Sequence, residues 1–197
     1  MPRLILASGS PQRRAILEQL GVAFEVVVTG VDELETGLAD EAAVENARRK
    51  AMAAAAAGSV PAAPLHRPSS SAILGVDTMV ALDGQIYGKP VDREDAIATL
   101  RALAGRSHRV VSGICVIEGR GTRTATSVTD VNFRPLSEAA IDWYVDTGEW
   151  EGRAGGYAIQ GRGAALVESI HGDYLNVVGL PLATLVDLLP SLLFSAI

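Results

Sequence analysis

Cysteine, histidine and aromatic residues are all scarce in this chain of 197 residues. A single cysteine, Cys115, excludes an internal disulfide. It stands beside Val116 and Ile117 in a strand-like run and reads as a small buried hydrophobe, not a nucleophile. The three histidines, His66, His108 and His171, are far apart and match no metal-ligand spacing. Aromatics make up only 5% of the chain, so Trp143 and Tyr144 read as core or subunit-contact residues, not as platforms for stacking bases. No apolar run approaches the ~20 residues that span a bilayer. The opening run Met1–Leu6 lacks the apolar length of a secretory signal. No G-x-S-x-G is present. Gly84 and Gly88 stand one residue too close for a Walker A loop, and Pro90 replaces the hydroxyl that would touch magnesium. These absences predict a cytoplasmic protein without a membrane partner.

What is present is a chain that can build a core. Apolar residues make up 48% and charged residues 20%, with a net charge of −6. That balance suits one sizeable folded core. The negative surface repels a nucleic-acid backbone, so nucleic acid is not an expected partner. A small anion in a local basic pocket is compatible with it.

Apolar periodicity and turn chemistry predict the elements. Arg3–Ala7 and Ala23–Val28 read as strands. Between them, Ser10 suits a helix N-cap, Pro11 its first position and Gly21 its end. Asp40–Ala57 is Ala-rich and reads as a helix. Ala72–Leu82 and Gln85–Tyr87 read as a hairpin around Asp83-Gly84. Asp92–Ala104 and Ser137–Thr147 read as capped helices ended by Gly105 and Gly148. Arg109–Ile117 and Ala125–Phe133 read as long strands around the turn at Gly119–Gly121. Gly152–Gly163 reads as a glycine-rich loop, Ala164–Ile170 as a strand, and Leu182–Leu189 as a closing helix ended by Pro190. The mixture of helix crossovers and hairpins predicts an α/β fold with a mixed sheet. A single domain covers 1–197, with a flexible Pro/Ser-rich loop at 58–71.

Five segments carry candidate chemistry. Ser8-Gly9-Ser10-Pro11-Gln12-Arg13-Arg14 joins a strand to a helix N-terminus, whose free N–H groups suit an anion. The two arginines oppose the helix dipole there, and a phosphate would compensate them. Asp77 lies inside an apolar strand, where a carboxylate needs a partner. It reads as a hard-cation ligand, a general base, or a structural carboxylate held by backbone N–H groups. Lys89, in Gly88-Lys89-Pro90, reaches a phosphate or is simply a surface lysine. Asp32-Glu33 supplies a second carboxylate source, although acidic loop residues are commonly just solvated. In Arg153-Ala154-Gly155-Gly156-Tyr157-Ala158-Ile159-Gln160-Gly161, paired glycines allow close backbone approach, and Gln160 offers donor and acceptor to a base edge or sits exposed on a turn.

Taken in order, these segments resemble the Maf family of nucleoside triphosphate pyrophosphatases. Ala47-Arg48-Arg49-Lys50-Ala51, Leu103–His108, Phe133–Ser137 and Val177–Leu182 complete the resemblance, which covers nearly the whole chain. It implies an elongated mixed β-sheet with flanking helices and two lobes around a central cleft. It also implies a cytoplasmic homodimer that splits a nucleoside triphosphate into a monophosphate and pyrophosphate. By the same resemblance, Asp77 matches the proton acceptor, and Ser8, Arg13, Lys50 and Lys89 match phosphate-contacting positions. Glu33 matches a second acidic position that, with Asp77, would hold Mg²⁺ or Mn²⁺. Thr78 and Gln160 match positions that set base preference in the dTTP/UTP branch. That branch typically carries Arg where this chain has Gln12. An alternative reading is a non-catalytic nucleotide-binding regulator of cell division, since Maf proteins are also associated with inhibition of septum formation.

Overall fold

The apolar run Ala72–Leu82 becomes the central strand, β3. In the computed structural model, which describes residues 4–58 and 71–194, β3 is flanked on one side by β1 (Leu4–Ala7) and on the other by β5 (Ser107–Glu118). β2 (Phe24–Val26) lies outside β1, while β6 (Gly121–Phe133) and β7 (Val167–His171) continue beyond β5. β4 (Gln85–Tyr87) folds back on the end of β3. β1 runs parallel to β2 and β3, and every other pairing is antiparallel. The sheet is therefore mixed, as expected.

The helices are α1 (Pro11–Gln19), α2 (Ala39–Ala56), α3 (Arg93–Leu103), α4 (Glu138–Val145), α5 (Tyr174–Val178) and α6 (Leu182–Leu188). The expected caps Ser10, Asp92 and Ser137 each accept a backbone N–H from the first turn. Among the described residues no helix is long and apolar enough to cross a membrane.

Three expectations need correction, and one element was not expected. The strand expected at Ala23–Val28 spans only Phe24–Val26, which pairs with Leu4–Leu6 of β1 and with no other strand among the described residues. The long hairpin strands reach closer to their turn than the sequence pattern indicates, pairing up to Glu118 and Gly121. The strand expected from Ala164 begins at Val167. Residues 162–166 are instead wound into a 3₁₀ turn, where the Glu149 carboxylate accepts the Arg162 N–H at 2.7 Å. The five-residue helix α5, capped by Asp173, has too few residues to show a period. Of the predicted loop at 58–71, residues 59–70 lie outside the described residues.

α2 covers one face of the sheet at unusually short range. A Cβ placed on Gly75 would lie 2.1 Å from the Ala47 carbonyl oxygen, and one on Gly113 would lie 2.3 Å from that of Ala43. Two strand glycines and an alanine stripe thus let helix and sheet backbones touch. Gly113→Ala, which pushes a methyl group into the helix backbone, is expected to cost at least about 3 kcal/mol in urea unfolding. Unchanged stability would show that α2 can move away freely.

On the opposite face the core is divided. Val76 on β3 and Ile114 on β5 join one apolar cluster with Leu6, Leu17, Leu74 and Leu185. Val80 and Val110 join another with Leu100, Phe133, Tyr144 and Tyr157. Between them stand Thr78 and the buried Ser112, whose hydroxyls are 2.8 Å apart. This polar step separates the two lobes. The sheet edge is interrupted at the same level. β1 pairs β3 up to Gly75 and β4 pairs it from Val80, so Val76–Met79 has no strand partner on that edge among the described residues.

Candidate functional site

A cavity of about 400 Å³ opens at this break in the sheet. Its lining includes Ser8, Gln12, Arg13, Glu33, Lys50, Asp77, Thr78, Lys89 and Gln160. These nine residues, the ones the family resemblance marks, therefore come to one place. Arg14, whose charge was expected to share an anion with Arg13, is exposed on the other side of α1 and does not line the cavity. A helix turns successive residues by about 100°, so adjacent arginines cannot both face inward.

Strand alternation explains how Asp77 and Thr78 divide their work. Asp77 points toward α2 and is 6% exposed. Its Oδ1 lies 2.6 Å from Lys50 Nζ, and its Oδ2 accepts from Asn46 Nδ2 at 2.9 Å. Lys50 also meets Glu33 Oε1 at 2.7 Å, so one buried ammonium joins both carboxylates. Half-burial of Glu33 opposes its charged form. The hydrogen bond and charge of Lys50, with the charges of Lys89 and Arg13, outweigh that and hold its pKa below the ordinary value.

Thr78 points the other way, toward α1. Its hydroxyl accepts from Arg13 Nη2 at 3.1 Å. Arg13 also donates to the Gly179 carbonyl at 2.8 Å and to Ser8 Oγ at 2.8 Å. One guanidinium thus ties together the turn before α1, the central strand and the end of α5. Burial pulls the Arg13 pKa down, and the charges of Asp77 and Glu33 oppose that pull. Arginine nevertheless stays ionised in proteins. Gln12 is half-buried, with its Oε1 accepting from Ser10 Oγ at 3.0 Å. Lys89 and Gln160 are exposed at the cavity.

Glu33 and Asp77, which share Lys50, are the two cavity carboxylates that could hold a divalent cation. Among the described residues no three His, Cys, Asp or Glu side chains gather as a cage. Two neighbouring carboxylates suit Mg²⁺, which takes one or two of them and completes its shell with water and phosphate oxygens.

A family model described as a Maf-like protein matches residues 3–192. The chain belongs to the Maf family. Among curated Maf relatives, a protein of Symbiobacterium thermophilum named dTTP/UTP pyrophosphatase is 46% identical, covering 96% of this chain and 93% of its own. A Deinococcus radiodurans protein of the same name is 44% identical, covering 95% and 92%. One from Pyrococcus furiosus, also so named, is 41% identical over 96% and 95%.

Two residues of this Maf site escaped the sequence analysis. Asn46 is fully buried and accepts the Leu34 N–H at 2.7 Å while donating to the Leu34 carbonyl at 3.1 Å. It thereby holds the loop bearing Glu33 against Asp77. Its spacing of four residues before Lys50 on one helix was the available signal. Ser112, opposite Thr78 on β5, carried no signal, because a serine in a strand is ordinary.

His108 supports the Maf cleft from behind. It is 1% exposed, its Nε2 lies 2.9 Å from the hydroxyl of the cavity residue Tyr157, and its ring packs edge-on to Phe133. Burial pushes its pKa down to about 4, from an ordinary 6.5. A depressed pKa gives stability that is fully present above the unfolded value and is lost as pH falls through the folded one. Unfolding free energy is therefore expected to drop by about 3 kcal/mol between pH 6.5 and 4 on this account. His108→Phe should flatten that part of the curve. An identical slope in the variant would assign the acid sensitivity elsewhere.

Proposed function

We propose that this chain is a nucleoside triphosphate pyrophosphatase acting on dTTP and UTP. It hydrolyses the bond between the α- and β-phosphates, giving a nucleoside monophosphate and pyrophosphate. The observation that carries the reading is the Glu33–Lys50–Asp77 cluster, two carboxylates and a buried ammonium in one cleft with Arg13 and Lys89. The names of its relatives support the same substrates.

In this reading Lys89 and Arg13 draw the triphosphate into the cleft. Asp77 accepts a proton from water, since each carboxylate oxygen has a second lone-pair site beyond its bond to Lys50 or Asn46. The water oxygen bonds to the α-phosphorus, and the bond to the α–β bridging oxygen breaks. Pyrophosphate leaves with the electron pair, its charge stabilised by the cationic wall. Glu33 and Asp77 would hold Mg²⁺ or Mn²⁺, which neutralises phosphate charge when bound. Gln160 offers its amide to the base edge, with Gln12 and Thr78 shaping the same end. Unless a metal intervenes, a non-catalytic nucleotide binder gains nothing from two carboxylates beside a polyanion. A cytoplasmic homodimer belongs to the same proposal and rests on the family resemblance.

The test is pyrophosphate release across purine and pyrimidine triphosphates, with Mg²⁺ or Mn²⁺ and with chelator. Metal-dependent release, fastest from dTTP and UTP, is expected. Release fastest from a purine would overturn the base assignment, and nucleotide binding without release would favour the regulator.

A further inference from the structure

Arg153 has no part in the scheme above. We infer that it is a further substrate-binding residue, gripping the distal phosphates of the triphosphate and the pyrophosphate they become. The substrate in this inference rests on the pyrophosphatase reading.

The loop bearing Arg153 is held rigidly. Its N–H donates to the Trp150 carbonyl at 3.1 Å, and its own carbonyl accepts the Gly156 N–H at 3.0 Å. Gly155 follows with a φ of 69°, and a Cβ there would lie 2.7 Å from Val80 Cγ2. Only glycine allows this turn to press against β3. The Gly155 N–H donates to the Gly88 carbonyl at 3.0 Å, which ties the loop to the residue before Lys89.

The side chain is a cation at the cavity without a protein partner among the described residues. Arg93, Arg101, Arg106 and Arg109 all pair with carboxylates on the surface. Arg153 lines the cavity, yet it has no ion pair or side-chain hydrogen bond among the described residues. Its Nε is shut off from solvent without a partner. Its charge acts on the Tyr144 phenol, which burial pushes up to about 12 and keeps neutral. The rest of the guanidinium is part of a half-buried side chain at the cavity, where a phosphate acceptor can meet it.

The other cations of the cleft are largely committed. Lys50 serves Glu33 and Asp77, and Arg13 spends three donors on protein oxygens. Lys89 and Arg153, which make no side-chain hydrogen bond or ion pair among the described residues, are the cations freest to move onto phosphate oxygens beside Arg13. The guanidinium fork matches paired phosphate oxygens, which a single lysine does not.

Titration calorimetry with inorganic pyrophosphate and with dTMP, in Mg²⁺, separates this role from simple cleft integrity. In Arg153→Ala, pyrophosphate affinity and KM for dTTP should each worsen by about tenfold or more, with dTMP affinity within about twofold of wild type. Arg153→Lys should recover part of the loss. Should Arg153→Ala fail to fold, Arg153→Gln keeps a polar side chain that reaches about as far as Nε, without the charge, and gives the same comparison. Unchanged pyrophosphate affinity, or an equal loss for dTMP, overturns the inference. If the wild type releases no pyrophosphate from any triphosphate, the pyrophosphatase reading fails, while the pyrophosphate titration still decides the role of Arg153.

Discussion

Asp77→Asn is expected to lower kcat by about 10²–10⁴-fold, the range supplied by a positioned general base. The fold should survive. Asparagine keeps the shape of the side chain, Lys50 retains Glu33 as its counter-charge, and a carbonyl oxygen can still accept from Asn46. Melting temperature should therefore stay close to wild type while turnover collapses. The pairing of those two readouts is what matters. A low kcat in an unfolded variant says nothing about chemistry. A folded variant with near-wild-type kcat removes Asp77 from the reaction.

Lys50→Met is expected to damage stability and activity together. Methionine fills the apolar stem but leaves two carboxylates without their shared ammonium. Truncating one partner of a buried pair typically costs about 3–5 kcal/mol. The low end applies, because the Glu33 side chain is 35% exposed and water screens its share. Urea unfolding at pH 7 should show a loss of about 3 kcal/mol. The loss should shrink in acid. Glu33 is held below its ordinary value of 4.5, mainly by Lys50 working against burial. Its contribution is present above that value and disappears as pH falls through the lower folded one. A variant as stable as wild type at pH 7 would mean that water already compensates both carboxylates.

Much of this site was legible before any fold was known, and for physical reasons. A carboxylate at position 77, in an otherwise apolar strand, must have a partner. A Ser10-Pro11 pair after a strand fixes a helix start and therefore a cleft wall. Lys50 was different. On an Ala-rich helix it looks like any solvated lysine, and only family resemblance marked it. Its burial depends on Gly75 and Gly113, which let α2 sink onto the sheet. That closeness is a contact between distant segments and leaves no local pattern. The misplaced start of β7 has a similar origin, because Glu149, thirteen residues earlier in the chain, holds Arg162 in a turn. Asn46 and Arg153 were harder still, since their meaning lies in hydrogen bonds made or left unmade after folding.

The products formed from dTTP test the central claim most directly. Phosphorus NMR of dTTP incubated with the protein and Mg²⁺ distinguishes the two bonds that water can break. The account predicts dTMP and pyrophosphate. Appearance of dTDP and inorganic phosphate, or recovery of intact dTTP, would contradict it.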